Sequence, residues 1–304
     1  MHTSISGEVL PDVATLARLV AEACPELAGR SVQFLAEGWD FAMYEVEGGW
    51  LLRLPKREEA EEELAVEAAL LPQLAPLLGV AVPEFTCVGA AEEILSRPFA
   101  IYRRIEGVAA RSVECTGALI AALAPTLGSV LTALHRFPVN RAMACGVAAA
   151  STSLQEMRRT ALERLGSIEE RLDPELVVGC RAVLVADTSF SELSDSVLLH
   201  ADFNDEHLLL DGRSHAVAGI IDWSDLQIGD PAADFAGLYG WGGEALVEAL
   251  HLHYGNRRDG DGIVKRARFR AACAELHNLQ YWLRVDHTAY AASARAALER
   301  IAQH

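Results

Sequence analysis

The segment HADFNDEH, residues 200–207, contains two histidines, three carboxylates and one amide within eight positions. It directly follows the apolar run at 197–199. Histidine and carboxylate side chains bind metal ions and transfer protons, so the segment could form a metal site or a proton-transfer site. It could also be a polar loop without chemistry. The elements around the segment help to separate these interpretations.

Two apolar runs follow, HLLL at 207–210 and AVAGIID at 216–222, and the polar sequence DGRSH joins them. This pattern predicts a β-hairpin. In an antiparallel hairpin the residue that begins the first strand lies beside the residue that ends the second, so His207 is expected next to Asp222. Asp202 lies in the irregular segment just upstream, which can direct a carboxylate towards the same end of the hairpin. The sequence therefore predicts that Asp202, His207 and Asp222 converge.

Two chemistries remain open for this group. His207 and Asp222, with water and a bound phosphate, suit Mg²⁺ and are too few for a structural zinc site. Asp202 would then be available to accept a proton from a substrate hydroxyl. Alternatively, a metal-dependent hydrolase could use His200 together with these three residues as a four-ligand site for zinc or manganese.

The overall charge restricts the kind of partner. With 43 acidic and 26 basic residues in 304, the chain has a net charge of -17. Nucleic acids and anionic membranes bind clustered positive charge, so we expect neither as a partner, and no obligate protein partner is evident. A cationic ligand fits the charge better, although an acidic surface can also serve solubility alone.

Cysteine usage and the apolar segments favour the cytoplasm. The six cysteines are far apart and form no CxxC pair, which predicts reduced core residues and neither a zinc knuckle nor a disulfide framework. The N-terminal residues lack the basic and apolar segments of a signal peptide. The apolar stretch at 118–134 is interrupted by Pro125 and Gly128 and is short for a bilayer span, so we expect a buried helix.

Periodicity divides the chain into two parts. Residues 1–104 contain a helical stripe, a three-strand meander, a Glu- and Ala-rich helix and two further strands, which predicts a small α+β lobe with an antiparallel sheet. Residues 105–304 form the larger, mainly helical lobe. Its long amphipathic segments are 116–136, 153–186, 242–254 and 265–301, and the only strands expected are those around the 200–222 segment.

Three segments of the second part resemble a known family. LLHADFNDEHLLLD, GIIDWSD and IGDPAADFAGL are similar to the catalytic loop, metal-binding turn and following helix of the aminoglycoside phosphotransferases. These antibiotic kinases share the protein-kinase-like fold. The resemblance implies that Asp202 is the catalytic residue and Asp222 the main Mg²⁺ ligand, with His200 and Asp234 as scaffold. His207 stands where the family usually has asparagine. A histidine at this position is similar to what the 2''-aminoglycoside and macrolide phosphotransferases carry.

The first part resembles the nucleotide-binding lobe of the same family. In WLLRLP, Arg53 matches the basic residue for the nucleotide phosphates, where many relatives have lysine, and Lys56 is a nearby substitute. Glu67 matches the acidic partner of that basic residue. FAIYRRIEG is similar to the strand and hinge that contact the purine. The residues expected there are Tyr102, Arg104 and Ile105.

The resemblance implies transfer of the γ-phosphoryl group of ATP or GTP to a hydroxyl of an antibiotic. An aminoglycoside carries several ammonium groups and needs clustered carboxylates, whereas a macrolide has one cation and a large apolar face. The net charge favours the aminoglycoside, with a macrolide or another small-molecule hydroxyl as alternatives. A catalytically silent binding protein would be expected to lose one of the three convergent groups. The residues expected to contact the acceptor are Asp205, Glu206, Glu244, Glu275, Tyr281, Trp282 and Asp286.

Overall fold

The computed structural model describes residues 10–91, 95–186, 196–256 and 262–303. The chain divides into two compact units. The first comprises the chain up to Pro76 together with Ala81–Glu106, and the second comprises Leu77–Val80 and the chain from Gly107 onward.

The first unit is built on one antiparallel sheet with strand order β1-β2-β3-β5-β4. Its elements are α1 (Val13–Ala23), β1 (Val32–Glu37), β2 (Phe41–Val46), β3 (Trp50–Pro55), α2 (Glu58–Leu78), β4 (Phe85–Ala91) and β5 (Leu95–Arg103). The strands, helices and their order are those that the periodicity predicts.

The two faces of this sheet have different cores. Because side chains alternate along a strand, β2 directs Ala42 and Tyr44 to one face and Phe41 to the other. Ala42 and Tyr44 join the apolar core that includes the buried residues of α1. Phe41 joins a smaller cluster with the α2 residue Leu64 and the β5 residue Tyr102. The face that carries Phe41 also carries Arg53, since Arg53 pairs directly with Met43 on the neighbouring strand.

The second unit is mainly helical. Its elements are β6 (Val108–Ala109), α3 (Gly117–His135), α4 (Val139–Ala144), β7 (Ala148–Ala149), α5 (Leu154–Ile168), α6 (Pro174–Val185), β8 (Val197–Leu199), β9 (Leu208–Leu210), β10 (Val217–Ile220), β11 (Gln227–Gly229), α7 (Ala232–Ala236), α8 (Tyr239–His253), α9 (Gly262–Arg284) and α10 (Thr288–Ala302).

Two small sheets in this unit position the 200–222 segment. The predicted hairpin is present: β9 pairs antiparallel with β10, and β6 adds to the other edge of β9. The strand before the segment, β8, belongs to a different sheet with β11 and β7. In this unit the sequence predicts strands only around residues 200–222, and the very short β6 and β7 lie far from them in sequence. Two or three residues give no periodic pattern, which is why they escape detection.

Two of the predicted long helices are wrong in extent. The segment 153–186 forms two helices, because Leu172 is extended and Pro174 starts a new helix at its first turn. The segment 265–301 is also two helices, separated at Asp286, which has φ 55°. That left-handed backbone conformation cannot continue a right-handed helix.

The apolar helix α3 is the one helix within the described ranges that is long and apolar enough to cross a membrane. Length and composition alone are weak evidence for a membrane span. Nine of its residues are buried, among them Leu127 and Leu131, and Gly128 lies against the α8 backbone at Leu250. These contacts are those of a helix in the core of its unit.

Candidate active site

The β9–β10 hairpin brings His207 and Asp222 together. The backbone N–H of Ile221 donates to the His207 carbonyl at 3.0 Å, which extends the ladder by one step beyond the strands. The Nε2 atom of His207 lies 3.5 Å from Oδ2 of Asp222. Asp222 has φ 61°, so the chain turns sharply at this carboxylate. The hairpin register that the sequence predicts is therefore sufficient to produce this pair.

Asp202 contacts the opposite edge of the same imidazole. Nδ1 of His207 is 3.2 Å from Oδ2 of Asp202 and 2.9 Å from the Asp202 carbonyl oxygen. Asn204 closes the turn, since its amide donates to Oδ1 of Asp202 at 2.8 Å while its oxygen accepts the Glu206 N–H at 2.8 Å. The imidazole thus lies between two carboxylates, and the three predicted residues converge.

The two carboxylates determine the charge of the imidazole. Burial alone would lower the pKa of His207, but the hydrogen bond to Asp202 and the charges of Asp222 and Asp202 outweigh it and raise the pKa to about 9. The pKa of Asp202 shifts in the opposite direction. Burial alone would raise it, but the hydrogen bond and charge of His207 hold the pKa of Asp202 below its ordinary value. Both carboxylates retain part of their surface in solvent, where a ligand can reach them.

His200 joins the 200–207 loop to the residue that follows β10. Its ring is fully buried, and burial lowers its pKa. Nδ1 accepts the backbone N–H of Asp202 at 3.3 Å, and Nε2 lies 3.2 Å from the Ile221 carbonyl. A neutral imidazole with its proton on Nε2 satisfies both contacts. Because both ring nitrogens are engaged within the protein, His200 is not available as the fourth ligand of a hydrolase metal site.

Asp234 on α7 holds the backbone that precedes Asp202. Its Oδ2 atom accepts the N–H of His200 at 3.0 Å, and its Oδ1 atom accepts the N–H of Ala201 at 2.8 Å. Ala201 has φ 67°, an unfavourable value for alanine that these bonds stabilise. The resemblance implies that Asp234 and His200 are scaffold residues, and in the structure both side chains accept hydrogen bonds from backbone N–H groups of the loop.

Sequence reasoning missed two residues behind Asp234. His135, at the end of α3, places Nε2 3.0 Å from Oδ2 of Asp234 and Nδ1 2.8 Å from the hydroxyl of Tyr254. All three side chains are buried. Along the chain, His135 lies 99 positions from Asp234 and 119 positions from Tyr254. The only local signal is a histidine in the last turn of a very apolar helix.

The donor set fits a weakly held Mg²⁺. An imidazole nitrogen and a carboxylate oxygen face each other and remain open to solvent on one side, which suits an ion that keeps water and phosphate ligands. The hydroxyl of Ser224 donates to Oδ1 of Asp222 at 3.0 Å and orients the carboxylate. Among the described residues, no group of three or more His, Cys, Asp or Glu side chains could hold a metal ion, so a closed, tightly bound site is absent there.

In the first unit, Arg53 and Glu67 form a buried ion pair. Nη1 of Arg53 lies 2.8 and 2.9 Å from the two carboxylate oxygens of Glu67. Lys56, considered as a substitute, is buried too, and its ammonium donates to Glu37 at 2.7 Å and to the Gly38 carbonyl at 2.6 Å. Arg53 therefore points towards α2 and pairs with Glu67.

The residues expected at the purine occupy the end of β5 and the segment after it. Tyr102 is buried, with its ring edge-on to Phe85 at 5.2 Å. The backbone N–H of Arg104 donates to the Gly49 carbonyl at 3.0 Å, and its side chain is exposed. Ile105 is partly buried.

Three of the predicted acceptor residues lie close to arginines. The backbone N–H of Arg111 donates to the Asp205 carbonyl at 2.9 Å, and its guanidinium forms an ion pair with Glu206. Burial, together with the nearby Asp205 charge, raises the pKa of Glu275 to about 7, against the opposing effects of the Asn278 hydrogen bond and the Arg300 charge. Burial also raises the pKa of Asp205, against the effect of Arg111. This cluster therefore carries less negative charge than its composition indicates.

The predicted aromatic residues Tyr281 and Trp282 form one group with Tyr290, which was not predicted. The rings of Tyr281 and Trp282 are edge-on at 4.8 Å, and Trp282 stacks on Tyr290 with centroids 4.6 Å apart. The guanidinium of Arg111 lies 5.5 Å from the Tyr290 ring, which connects this group to Glu206.

The remaining two predicted acceptor residues lie on other elements. Asp286 is exposed in the turn before α10, where it borders a cavity of about 350 Å³ together with Trp282. Glu244 follows Gly243, at which the backbone of α8 is non-helical, and its side chain is partly buried.

The model of the phosphotransferase enzyme family APH matches residues 31–270, which is more than half of the chain. The chain belongs to this family. The match includes both the Arg53–Glu67 pair and the catalytic loop, and it confirms the resemblance and the prediction of a phosphotransferase. No curated protein sequence matches the chain.

Solved structures of other family members share the fold. The GDP complex of an aminoglycoside 2'-phosphotransferase-IIIa is 23% identical, covers 96% of this chain and 98% of its own, and has a TM-score of 0.76. A complex of a related aminoglycoside phosphotransferase with GDP and kanamycin has a TM-score of 0.73, at 23% identity and coverages of 94% and 97%. The macrolide 2'-phosphotransferase of Brachybacterium faecium is 26% identical, with coverages of 94% and 97% and a TM-score of 0.60. The predicted α+β, protein-kinase-like fold is thereby confirmed.

Proposed function

We propose that this phosphotransferase moves the γ-phosphoryl group of ATP or GTP to a hydroxyl of an aminoglycoside, in the manner of the 2''-phosphotransferases, and so confers resistance. The observation that carries the proposal is the convergence of Asp202, His207 and Asp222 at the open end of the β9–β10 hairpin. In this proposal Asp202 orients the acceptor hydroxyl and accepts its proton. Its lowered pKa keeps it ionised at neutral pH, as that role requires.

His207 and Asp222 are the residues proposed to hold Mg²⁺. When bound, the ion would neutralise charge on the nucleotide phosphates. The raised pKa of His207 means that its imidazole must give up a proton before Nε2 can act as a ligand. Phosphoryl transfer is loose, so positioning and electrostatics would supply most of the rate.

The first unit would supply the nucleotide contacts. Arg53, held by Glu67, is proposed to bind the phosphates, and Tyr102, Arg104 and Ile105 are proposed to border the purine. Solved structures of relatives contain GDP, which supports a guanine nucleotide as one donor to be tested beside ATP.

For the acceptor, an aminoglycoside is supported by the net charge of -17 and by the kanamycin bound to one relative. The contacts proposed for it are Asp205, Glu206, Glu244, Glu275, Tyr281, Trp282 and Asp286. A specific observation favours a macrolide as the second candidate. Arg111 neutralises Glu206 beside the catalytic loop, and the stacked rings of Trp282 and Tyr290 offer an apolar surface there.

The test is a transfer assay with ATP and with GTP against aminoglycosides, macrolides and small sugars and amines, read by mass spectrometry. We expect an aminoglycoside to gain one phosphoryl group, with Asp202→Asn reducing kcat by about 10²-fold or more. The matched control is Asp211→Asn, which changes an exposed aspartate at the opposite end of the same hairpin. Phosphorylation of macrolides alone would support the second candidate, and transfer to no compound would overturn both.

A further inference from the structure

The guanidinium of Arg53 has a second neighbour besides Glu67. Its central carbon lies 3.6 Å from the centroid of the Phe41 ring. Phe41 begins β2 and is 6% exposed, and Arg53 is 4% exposed, so the contact is shielded from water. A cation over an aromatic face is attracted by the ring, more strongly when both groups are desolvated.

The strand register produces this contact. Phe41 pairs with Pro55 and Met43 pairs with Arg53, so Phe41 and Arg53 are diagonal neighbours on one face of the sheet. Ala60 and Leu64 of α2 pack in the same cluster as Phe41 and limit the freedom of its ring. The ring is therefore a fixed surface on which the guanidinium rests.

The two contacts restrain different motions of the guanidinium. Its N–H bonds lie in its plane, so the hydrogen bonds to Glu67 at 2.8 and 2.9 Å fix the group within that plane. A ring beneath the group limits its tilt out of that plane. An ammonium is a compact charge with rotatable donors and does not need this second restraint, whereas a planar fork does.

We propose that Phe41 is a positioning residue that sets the orientation of Arg53 towards the nucleotide phosphates. The proposal rests on the proposed function, since it assumes that Arg53 binds nucleotide. It predicts that an arginine at this position depends on the aromatic ring, and that a lysine there depends on it much less.

The sharpest test replaces Phe41 with phenylalanine that carries one, two or three fluorine atoms. Fluorine weakens the attraction between the ring and a cation while almost preserving its shape. We expect the KM for ATP or GTP to rise stepwise across the series to about fivefold, with the KM for the acceptor unchanged. A ring that acts only through packing would leave the KM for the nucleotide constant, and that result would overturn the proposal.

Conventional variants provide an independent measurement. Phe41→Leu should raise the KM for the nucleotide by about fivefold or more, while Phe41→Tyr, which keeps the aromatic face, should remain within about twofold. In the Arg53→Lys background, Phe41→Leu should have less than about a twofold effect. Phe34→Leu is the matched control, since it changes an exposed aromatic residue on β1 that packs edge-on to Tyr44.

Failure of this inference can be distinguished from failure of the proposed function. If the wild-type chain neither binds nor hydrolyses ATP or GTP, the proposed function fails. If the wild-type chain uses the nucleotide and the fluorinated series is flat, only the role of Phe41 fails.

Discussion

Glu275 shows how burial changes the charge of a predicted acceptor residue. From sequence it is one more carboxylate for an ammonium group. In the structure its pKa is raised from 4.5 to about 7, mainly by burial and in part by the neighbouring Asp205 charge. The side chain is therefore largely protonated below neutral pH, where it donates a hydrogen bond and does not attract a cation. The contribution proposed for it in acceptor binding would then depend on pH.

This shift predicts a pH-dependent stability. A carboxyl group with a higher pKa in the folded protein favours folding below its unfolded pKa and loses that advantage as the pH rises towards its folded pKa. Glu275→Gln removes the titration. Relative to wild type, the variant should gain about 2–3 kcal/mol in free energy of unfolding between pH 4.5 and pH 8. Urea unfolding at several pH values measures this difference.

Glu248→Gln is the control, because Glu248 is an exposed glutamate on α8. Its difference from wild type should stay constant over the same range. A pH-independent difference for Glu275→Gln would show that the carboxyl is solvated in the folded protein.

At the scale of elements, the 200–207 loop depends on helix α7. Asp234 accepts two consecutive backbone N–H groups of the loop and also contacts His135 of α3. The short strands β8 and β9 on either side of the loop belong to different sheets, so neither strand ladder alone fixes the backbone between them. A buried carboxylate with three partners supplies this restraint.

Asp234→Asn should therefore reduce both stability and rate. An amide N–H₂ group cannot accept from the donors that face it, which leaves at least one buried N–H unsatisfied. We expect a loss of about 3 kcal/mol in free energy of unfolding and a decrease of kcat by at least about tenfold. Denaturant unfolding and steady-state kinetics on one preparation measure the two effects.

The exposed Asp211 serves as the comparison. It accepts the Ser214 N–H at 2.7 Å in the hairpin turn, and Asp211→Asn should lower the stability much less than Asp234→Asn does and leave kcat unchanged. Equal effects of the Asp234 and Asp211 variants would contradict the proposed restraint.

Local patterns explain which elements could be predicted. The hairpin register follows from two apolar runs of fixed length, so the pairing of His207 with Asp222 could be inferred without knowing the rest of the fold. The contact of Asp234 with His135 joins helices that are 99 positions apart along the chain, so it leaves no local pattern. The break at Asp286 was missed because a left-handed residue in a polar turn does not interrupt the apolar periodicity enough to be recognised.

At the scale of the whole molecule, the net charge of -17 attracts cations over a longer range than any single contact. The local cluster near the catalytic loop is partly neutralised by Arg111 and Arg300, as described above. Long-range attraction and local neutralisation therefore have opposite effects on a polycationic acceptor. Salt distinguishes them, because the screening length falls from about 10 Å at 0.1 M to about 3 Å at 1 M.

We expect the KM for a polycation such as kanamycin to rise about tenfold between 0.05 and 0.5 M KCl, and the KM for a macrolide with one cation to rise no more than about twofold.

Arg111→Gln removes the positive charge that pairs with Glu206. It should lower the KM for kanamycin at 0.05 M, and the advantage should disappear at 0.5 M because salt screens the exposed carboxylate. Steady-state kinetics for both acceptors at both salt concentrations measure these effects. If the two KM values respond to salt alike, the acidic charge does not select the acceptor, and the apolar surface of Trp282 and Tyr290 becomes the stronger determinant.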